Sequence, residues 1–539
     1  MVAGRWMNDM THKVYVGTGP VSFSDVVAVA RHGAAAEVPA EALTAIDRAR
    51  AVVDELASGP TPAYGISTGF GALATRHIPT ELRTQLQKSL VRSHAAGSGP
   101  EVEREVVRAL MLLRLSTLAT GHTGVRRETA QLLASLLSHG ITPVVREYGS
   151  LGCSGDLAPL AHCALALIGE GEVRDASGTL MPAAEALAAA GLTPVELEAK
   201  EGLALINGTD GMLGMLVLAI TDLRMLLRTA DVAAAMSVEG QLGTDRPFAA
   251  ALQALRPQVG QALSAANLTA ILRDSGVVAS HRGPDCNRVQ DAYSLRCSPQ
   301  VHGAARDTVE YAATVAGREL ASAVDNPVVI FDDAGLETGL RPSSTSGGAR
   351  VESNGNFHGA PVAYVLDFLA IIAADVASIS ERRTDRFLDK SRSNGLPPFL
   401  AGDPGVDSGH MIAQYTQAAI VSELKRLAVP ASVDSIPSSA MQEDHVSMGW
   451  SAARKLRRAV DGLTRVVAIE VLTAARALDL RAPLEPSAAT GAVVRLLRDA
   501  GIEGPGPDRH LSPEIEAAVE LVRSGAVLAA AESMIGELA

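Results

Sequence analysis

The sequence predicts a mainly α-helical protein, a bundle of long helices with a smaller mixed α/β section towards its N-terminal end. Three observations carry that prediction. Hydrophobic residues make up 47% of the 539, yet aromatic residues only 3%, so the core must be aliphatic. Alanine, leucine and valine in that proportion, without dense strand patterning, favour helix. The apolar segments are also long, and two Gly/Pro/Ser-rich interruptions stand out between them.

The opening MVAGRWMNDMTHKVYVG has neither a continuous apolar stretch nor a cleavage signal, so no secretory peptide is expected. Residues 125–140, VRRETAQLLASLLSHG, set Leu132, Leu133, Leu136 and Leu137 on one helix face and stop at Gly140. ITPVV follows as a short strand or extended run. The spacing then predicts helices over 211–237, 304–324, 359–383, 408–428 and 447–481. The stretches 332–350 and 501–510 read as surface loops, because helical pattern resumes directly after each. The expected division is an N-terminal region, 1–215, that carries the reactive motifs, and a helical region, 216–539. VAYVLDFLAIIAADVASI (362–379) is long enough to span a membrane. Asp367 and Asp375 inside it favour the buried centre of a helix bundle instead.

Charge and cysteine content narrow the function. A net charge of −13 without a Lys/Arg cluster argues against a nucleic-acid partner and is ordinary for a soluble cytoplasmic protein. Cys153, Cys163, Cys286 and Cys297 form no Cys-x-x-Cys pair, so neither a disulfide framework nor a zinc site is expected.

The stretch YGSLGCSGDLAPLAHCALAL, 148–167, packs glycine and serine around Cys153 at the mouth of an Ala/Leu-rich helix. With no side chain in the way, a glycine amide nitrogen can approach a neighbouring carbonyl carbon closely. Attack of the Gly155 nitrogen on the Cys153 carbonyl would close a five-membered ring. Loss of water there and from Ser154 would leave an exocyclic methylene, a 4-methylidene-imidazol-5-one built from backbone. Asp156 reads as the N-cap of the helix, and Pro159 is tolerated in its first turn. The positive end of that helix would favour electron density gathering on the ring. GSLGCSGDLAPLAH closely resembles the signature of the aromatic amino-acid ammonia-lyases and aminomutases, whose usual tripeptide is Ala-Ser-Gly. Cys153 departs from that form with a side chain that only hangs off the ring.

Further motifs carry the resemblance in family order from about residue 14 to about 481. AYGISTGFGAL contains Gly65-x-Ser67-x-Gly69, formally a hydrolase nucleophile elbow, but Pro, Gly and Ser precede it where an elbow needs a buried strand. It resembles instead the family's mobile active-site loop, which implies Tyr64 as base. A phenol with its ordinary pKa of about 10 needs nearby donors or positive charge to serve as one. The resemblance implies that Asn207, in EGLALINGTDGMLG, lies beside the ring and that Phe357, in ESNGNFHG, packs near it. In RVQDAYSLRC it implies Gln290 and Tyr293 as supports of the ring and the developing charge. The planar fork of Arg296 suits an α-carboxylate.

Ser93-His94 stands where family members select the substrate side chain, and it fits imidazole or phenol equally. Met411, with His410 before it, joins the implied substrate-binding set. Gln442-Glu443-Asp444 is sharper. Members acting on phenylalanine or tyrosine typically show Asn-Gln-Asp there, and Glu443 resembles the glutamate of histidine-selective members. A carboxylate accepts from an imidazole N–H, whereas against a phenyl ring it would be buried and unpaired.

The resemblance therefore implies non-oxidative deamination of L-histidine to trans-urocanate and ammonia, through a 4-methylidene-imidazol-5-one formed from Cys153-Ser154-Gly155. A tyrosine-type lyase or a 2,3-aminomutase with the same group is the alternative, since lyase and mutase differ mainly in product retention. A non-catalytic helical scaffold and a serine hydrolase acting through Ser67 are readings from other classes. The implied architecture is the long-helix bundle of the aspartase/fumarase-like superfamily, assembled as a homotetramer with each site drawn from more than one subunit. The expected partners are a small amino acid and further copies of the chain, with no nucleic acid, membrane or metal.

Overall fold

The computed structural model describes residues 13–59, 63–69, 71, 75–283, 286, 289–331, 345–346 and 348–539. The first twelve residues, on which the expectation about a secretory peptide falls, and most of the 332–350 stretch lie outside them.

Long aliphatic helices form the centre: Asp210–Gly240, Ser298–Leu320, Ala360–Leu388, Met411–Leu427 and Gly449–Asp479. All five expected helices are present with shifted ends. Ser298–Leu320 starts earlier than the pattern indicated because Pro299 sits in its first turn, where a missing N–H costs nothing. Gly449–Asp479 packs along both Ala360–Leu388 and Asp210–Gly240. Near the end of the bundle where Asp210–Gly240 finishes, Arg383 and Glu470 form a fully buried ion pair at 2.5 Å. The hydroxyls of Ser237 and Ser380 donate to the same carboxylate at 2.7 and 2.6 Å. Both carboxylate oxygens are thus met, the condition for holding a charge inside an aliphatic core.

Strands are short and peripheral. Lys13–Tyr15 runs parallel to Ala35–Glu37, and Ser98–Glu101 antiparallel to Arg146–Tyr148. Thr142–Pro143, from the ITPVV run, pairs with Glu172–Arg174. Ala349–Glu352 pairs antiparallel with Val328–Phe331, so the end of the stretch read as a loop is strand. The 501–510 stretch is a loop between the helices Ala488–Asp499 and Ser512–Arg523. The main apolar core extends from Val14 to Leu538, with a smaller cluster around Val53, Ile66 and Val329, and a division at 215/216 falls inside the continuous Asp210–Gly240 helix.

Among the described residues, two helical stretches, Glu201–Gly240 and Ala360–Leu388, are long and apolar enough to cross a membrane by length and composition. The apolar window of the first is wholly buried in the fold. In the second, Asp367 is buried and accepts from Lys455 Nζ at 2.6 Å and from the Ser432 N–H at 2.7 Å. The expectation of a buried centre needs one correction. Tyr364, Phe368, Ile371 and Asp375 form an exposed stripe at coiled-coil spacing along this helix.

Candidate active site

The tripeptide lies in a bend between strand Arg146–Tyr148 and helix Leu157–Leu167. Cys153 and Gly155 face each other as an isolated bridge, and Gly155 takes φ +82°. A Cβ at Gly155 would lie 2.0 Å from the Gly208 carbonyl oxygen. Backbone conformation and space both demand glycine here. The Asp156 N–H donates to that same Gly208 oxygen at 2.7 Å.

Asp156 does not cap its own helix as the sequence suggested. One of its oxygens accepts from Ser150 Oγ at 2.8 Å, the other from the N–H groups of Gly211 and Met212 at 2.9 Å each. The Asp210–Gly240 helix has no side-chain cap from Thr209, and its free amides point at Asp156. The carboxylate therefore ties the tripeptide bend to the segment carrying Asn207. Burial pushes the Asp156 carboxyl up to about 7 against the pull of these donors.

Tyr64, Ser93, His94, Ser154, Asn207 and Glu443 all line one cavity of about 490 Å³, with Leu90, Leu157, Leu203 and Ile206 as its apolar wall. The Tyr64 hydroxyl accepts from the Gly71 N–H at 3.2 Å, and Arg76 lines the same cavity. A donor and a positive charge are what a phenolate base needs. His94 Nδ1 lies 2.9 Å from the Leu90 carbonyl oxygen and 3.1 Å from Ser93 Oγ. Burial holds the His94 pKa below the ordinary histidine value, with Glu443 pulling the other way. A neutral ring that donates from Nδ1 keeps Nε2 as an acceptor. The Ser154 hydroxyl donates to Glu443 Oε1 at 2.8 Å, while the Cys153 thiol and the Ser438 hydroxyl donate to Oε2 at 3.2 and 3.0 Å.

Asn207 Nδ2 donates to the Asn326 carbonyl at 3.0 Å, and its Oδ1 is buried without a partner among the described residues. Behind it lies a residue that sequence reasoning missed. Arg114 is buried and donates to the carbonyls of Asn207 and Val324 at 2.8 Å each. Its signal was an arginine inside the leucine-rich RALMLLRLSTLA, a position that must be buried and hence must be paired. Asn326, in the stretch DNPVV at 325–329, also lines the cavity.

Within one chain, Gln290, Tyr293, Arg296 and Met411 are not brought to this cavity. The Thr244 N–H donates to Asp291 at 2.7 Å and Arg383 to the Ser294 carbonyl at 3.3 Å, which places the 290–296 segment beyond the C-terminal end of Asp210–Gly240. Asn207 precedes the other end. That helix has 31 residues and is about 46 Å long at 1.5 Å per residue. Tyr293 is 73% exposed, Arg296 stacks on its ring at 4.7 Å, and Arg296 Nε is buried without a partner among the described residues. Met411 borders a separate cavity with Leu388 and Asp389, at the C-terminal end of Ala360–Leu388. The opposite end of that helix adjoins the tripeptide, where the Gly359 N–H donates to the Gly152 carbonyl at 3.1 Å. Phe357 sits two residues before Gly359 and is half-buried, outside the cavity lining. His410 is buried against Thr473 Oγ at 3.1 Å, so it does not shape its own chain's cavity. Ser67 is buried too, its hydroxyl accepting from the Ala63 N–H at 2.9 Å, which denies a hydrolase its exposed nucleophile.

Residues 21–499 match the family described as aromatic amino acid lyase. A histidine ammonia-lyase of Streptomyces griseus is 65% identical over 98% of this chain and 100% of its own. Among solved structures, a tyrosine aminomutase from Streptomyces globisporus has a TM-score of 0.89 at 37% identity, covering 98% of this chain and 99% of its own. A histidine ammonia-lyase from Trypanosoma cruzi has a TM-score of 0.86 at 37% identity, covering 97% of this chain and 96% of its own. The chain belongs to the aromatic amino acid lyase family.

Proposed function

We propose that this chain is a histidine ammonia-lyase, a cytoplasmic carbon–nitrogen lyase that converts L-histidine to trans-urocanate and ammonia. The observation that carries the substrate is Glu443, a carboxylate in the cavity wall beside Ser154 that an imidazole N–H satisfies and a phenyl ring does not. The 65% identity to a histidine ammonia-lyase supports the same reading, against 37% to a tyrosine aminomutase.

Cys153-Ser154-Gly155 fit a 4-methylidene-imidazol-5-one. The glycine-only cradle against Gly208 and the unpartnered Asn207 Oδ1 are what such a ring requires of its surroundings. Closure releases two waters. One takes the Cys153 carbonyl oxygen with the amide hydrogens of Ser154 and Gly155, and the other takes the Ser154 hydroxyl with its Cα hydrogen. Once formed, the group supplies an electrophilic methylene that makes the substrate amine a competent leaving group.

The chain's own side chains do the rest. Tyr64 removes a β-proton, its oxygen met by the Gly71 N–H. Glu443 and His94 address the imidazole, one as acceptor for its N–H and the other beside it in the wall. Arg296 holds the α-carboxylate, with Tyr293, Gln290, Phe357 and Met411 around the substrate. The Arg296, Tyr293, Gln290 and Met411 groups come from other copies, because those of the same chain lie at the far end of the bundle. The exposed Tyr364, Phe368 and Ile371 stripe offers an apolar face for packing copies side by side, and a homotetramer is the assembly we propose.

The test is ultraviolet absorbance and ammonia release with L-histidine, L-tyrosine and L-phenylalanine, with intact mass in parallel. Urocanate and ammonia from histidine alone, and a chain lighter by two waters, is the expected result. Turnover of tyrosine instead would remove Glu443 as selector, and a β-amino acid without ammonia would make the enzyme a mutase.

A further inference from the structure

Three side-chain donors converge on Glu443 from two segments of the chain. Ser154 Oγ reaches Oε1, while Cys153 Sγ and Ser438 Oγ share Oε2. Ring closure, as proposed above, removes the Ser154 hydroxyl as water. Oε1 is then left open, and Oε2 stays held. We infer that Cys153 is a positioning residue for substrate recognition, its thiol fixing the Glu443 carboxylate so that Oε1 faces the imidazole N–H of L-histidine. The inference rests on the reading of Glu443 as the imidazole's partner.

The geometry favours a holding role over simple packing. A carboxylate gripped by one hydroxyl can turn about its terminal torsion, which is broad and soft. Donors from the 153 bend and from the 438–443 turn, meeting on one oxygen, define its plane. Ser438 and Glu443 already exchange backbone hydrogen bonds at 2.9 and 3.3 Å, so that turn is a fixed anchor. Cys153 is only 5% exposed, which keeps water from replacing its thiol. A thiol is a weak donor in general, but a charged acceptor strengthens it. Burial, with the Glu443 charge beside it, pushes the Cys153 pKa up to about 12, so the group remains a donor and never a competing anion. The alanine found in the family's usual tripeptide would leave Oε2 to Ser438 alone.

The experiment compares the full-length wild type, Cys153→Ala and Cys153→Ser for intact mass and for steady-state kinetics with L-histidine. Both variants are expected to be lighter than their sequences by two waters, since the side chain lies outside the ring. Losing one charge-assisted hydrogen bond should raise KM about ten-fold in Cys153→Ala, with kcat falling less than about three-fold. Cys153→Ser keeps a donor and should return KM to within about two-fold of wild type. An unchanged KM in Cys153→Ala overturns the inference. So does a Cys153→Ser variant as impaired as alanine, which would mean packing, or an open-chain mass in Cys153→Ala, which would mean a role in closure. Glu443→Gln in the wild-type background isolates the underlying reading: an unaltered KM there removes Glu443 as the imidazole's partner, whatever the Cys153 variants do.

Discussion

The two ends of the bundle differ in how their polar side chains are anchored. At the end carrying the tripeptide, Asp156 accepts three hydrogen bonds, Glu443 three and Arg114 spans two carbonyls, all within one chain, while Asn207 Oδ1 and Arg114 Nε stay buried without a partner among the described residues. At the opposite end, Tyr293 stands in solvent and the Arg296 guanidinium rests on it with a buried N–H unspent. A polar group that folding leaves unsatisfied is one that something else satisfies. The comparison teaches that folding finishes the anchoring of the first end, and that the second fits completion by the association proposed above.

Gly155→Ala attacks the finished end and has the largest expected effect. A Cβ facing the Gly208 carbonyl, on a residue at φ +82°, should prevent closure and lower turnover by about 10³-fold or more. Intact mass should show the full, unclosed chain. The unfinished end is tested by mixing. Arg296→Met and Tyr64→Phe should each lose about 10²- to 10³-fold of kcat/KM alone. Co-refolded, they should regain activity, because some sites then draw both intact residues from different copies. No recovery would break the comparison. Glu443→Gln should reduce kcat/KM for L-histidine by about 10²-fold, as expected when a half-buried acceptor in the cavity wall loses its charge.

The smallest effect concerns stability and sharpens the view of the far end, which is not unsatisfied throughout. Burial, helped by Arg476 and Arg509, lowers the His410 pKa to about 3. The folded state therefore prefers the neutral ring. Stability from this group is complete above the unfolded value of about 6.5 and is lost as pH falls from there towards 3. Near pH 5 the loss is about 2 kcal/mol. Chemical denaturation at about pH 7.5 and 5 should show that loss in wild type and not in His410→Asn.

Much of the architecture was legible because aliphatic periodicity and glycine stops act locally. Tyr64, His94, Cys153 to Gly155, Asn207 and Glu443 were legible for another reason: their short motifs are distinctive in themselves. What was not legible is tertiary. Asp156 looked like a cap for the helix that follows it, and only the docking of Gly211 and Met212 makes it the cap of a different one. The helix expected from residue 304 starts at Ser298, with Pro299 in its first turn. Arg296 and Met411 were singled out as substrate-binding residues, and the fold of one chain keeps both away from the cavity, a separation that no spacing along the sequence reports.

The tripeptide's surroundings also bear on how such chemistry can be moved between proteins. Its glycine is shaped by Gly208, its following aspartate is spent on amides 55 and 56 positions downstream, and its serine is held from 289 positions away. The letters GSLGCSGDLAPLAH are therefore an address and not a cassette. Transplanted to another helix entrance they would carry the sequence of the reactive centre without its furniture. A designer who wants the chemistry elsewhere must import two distant segments with it, and a chain cut short before Glu443 would hold the motif without the carboxylate that holds its serine.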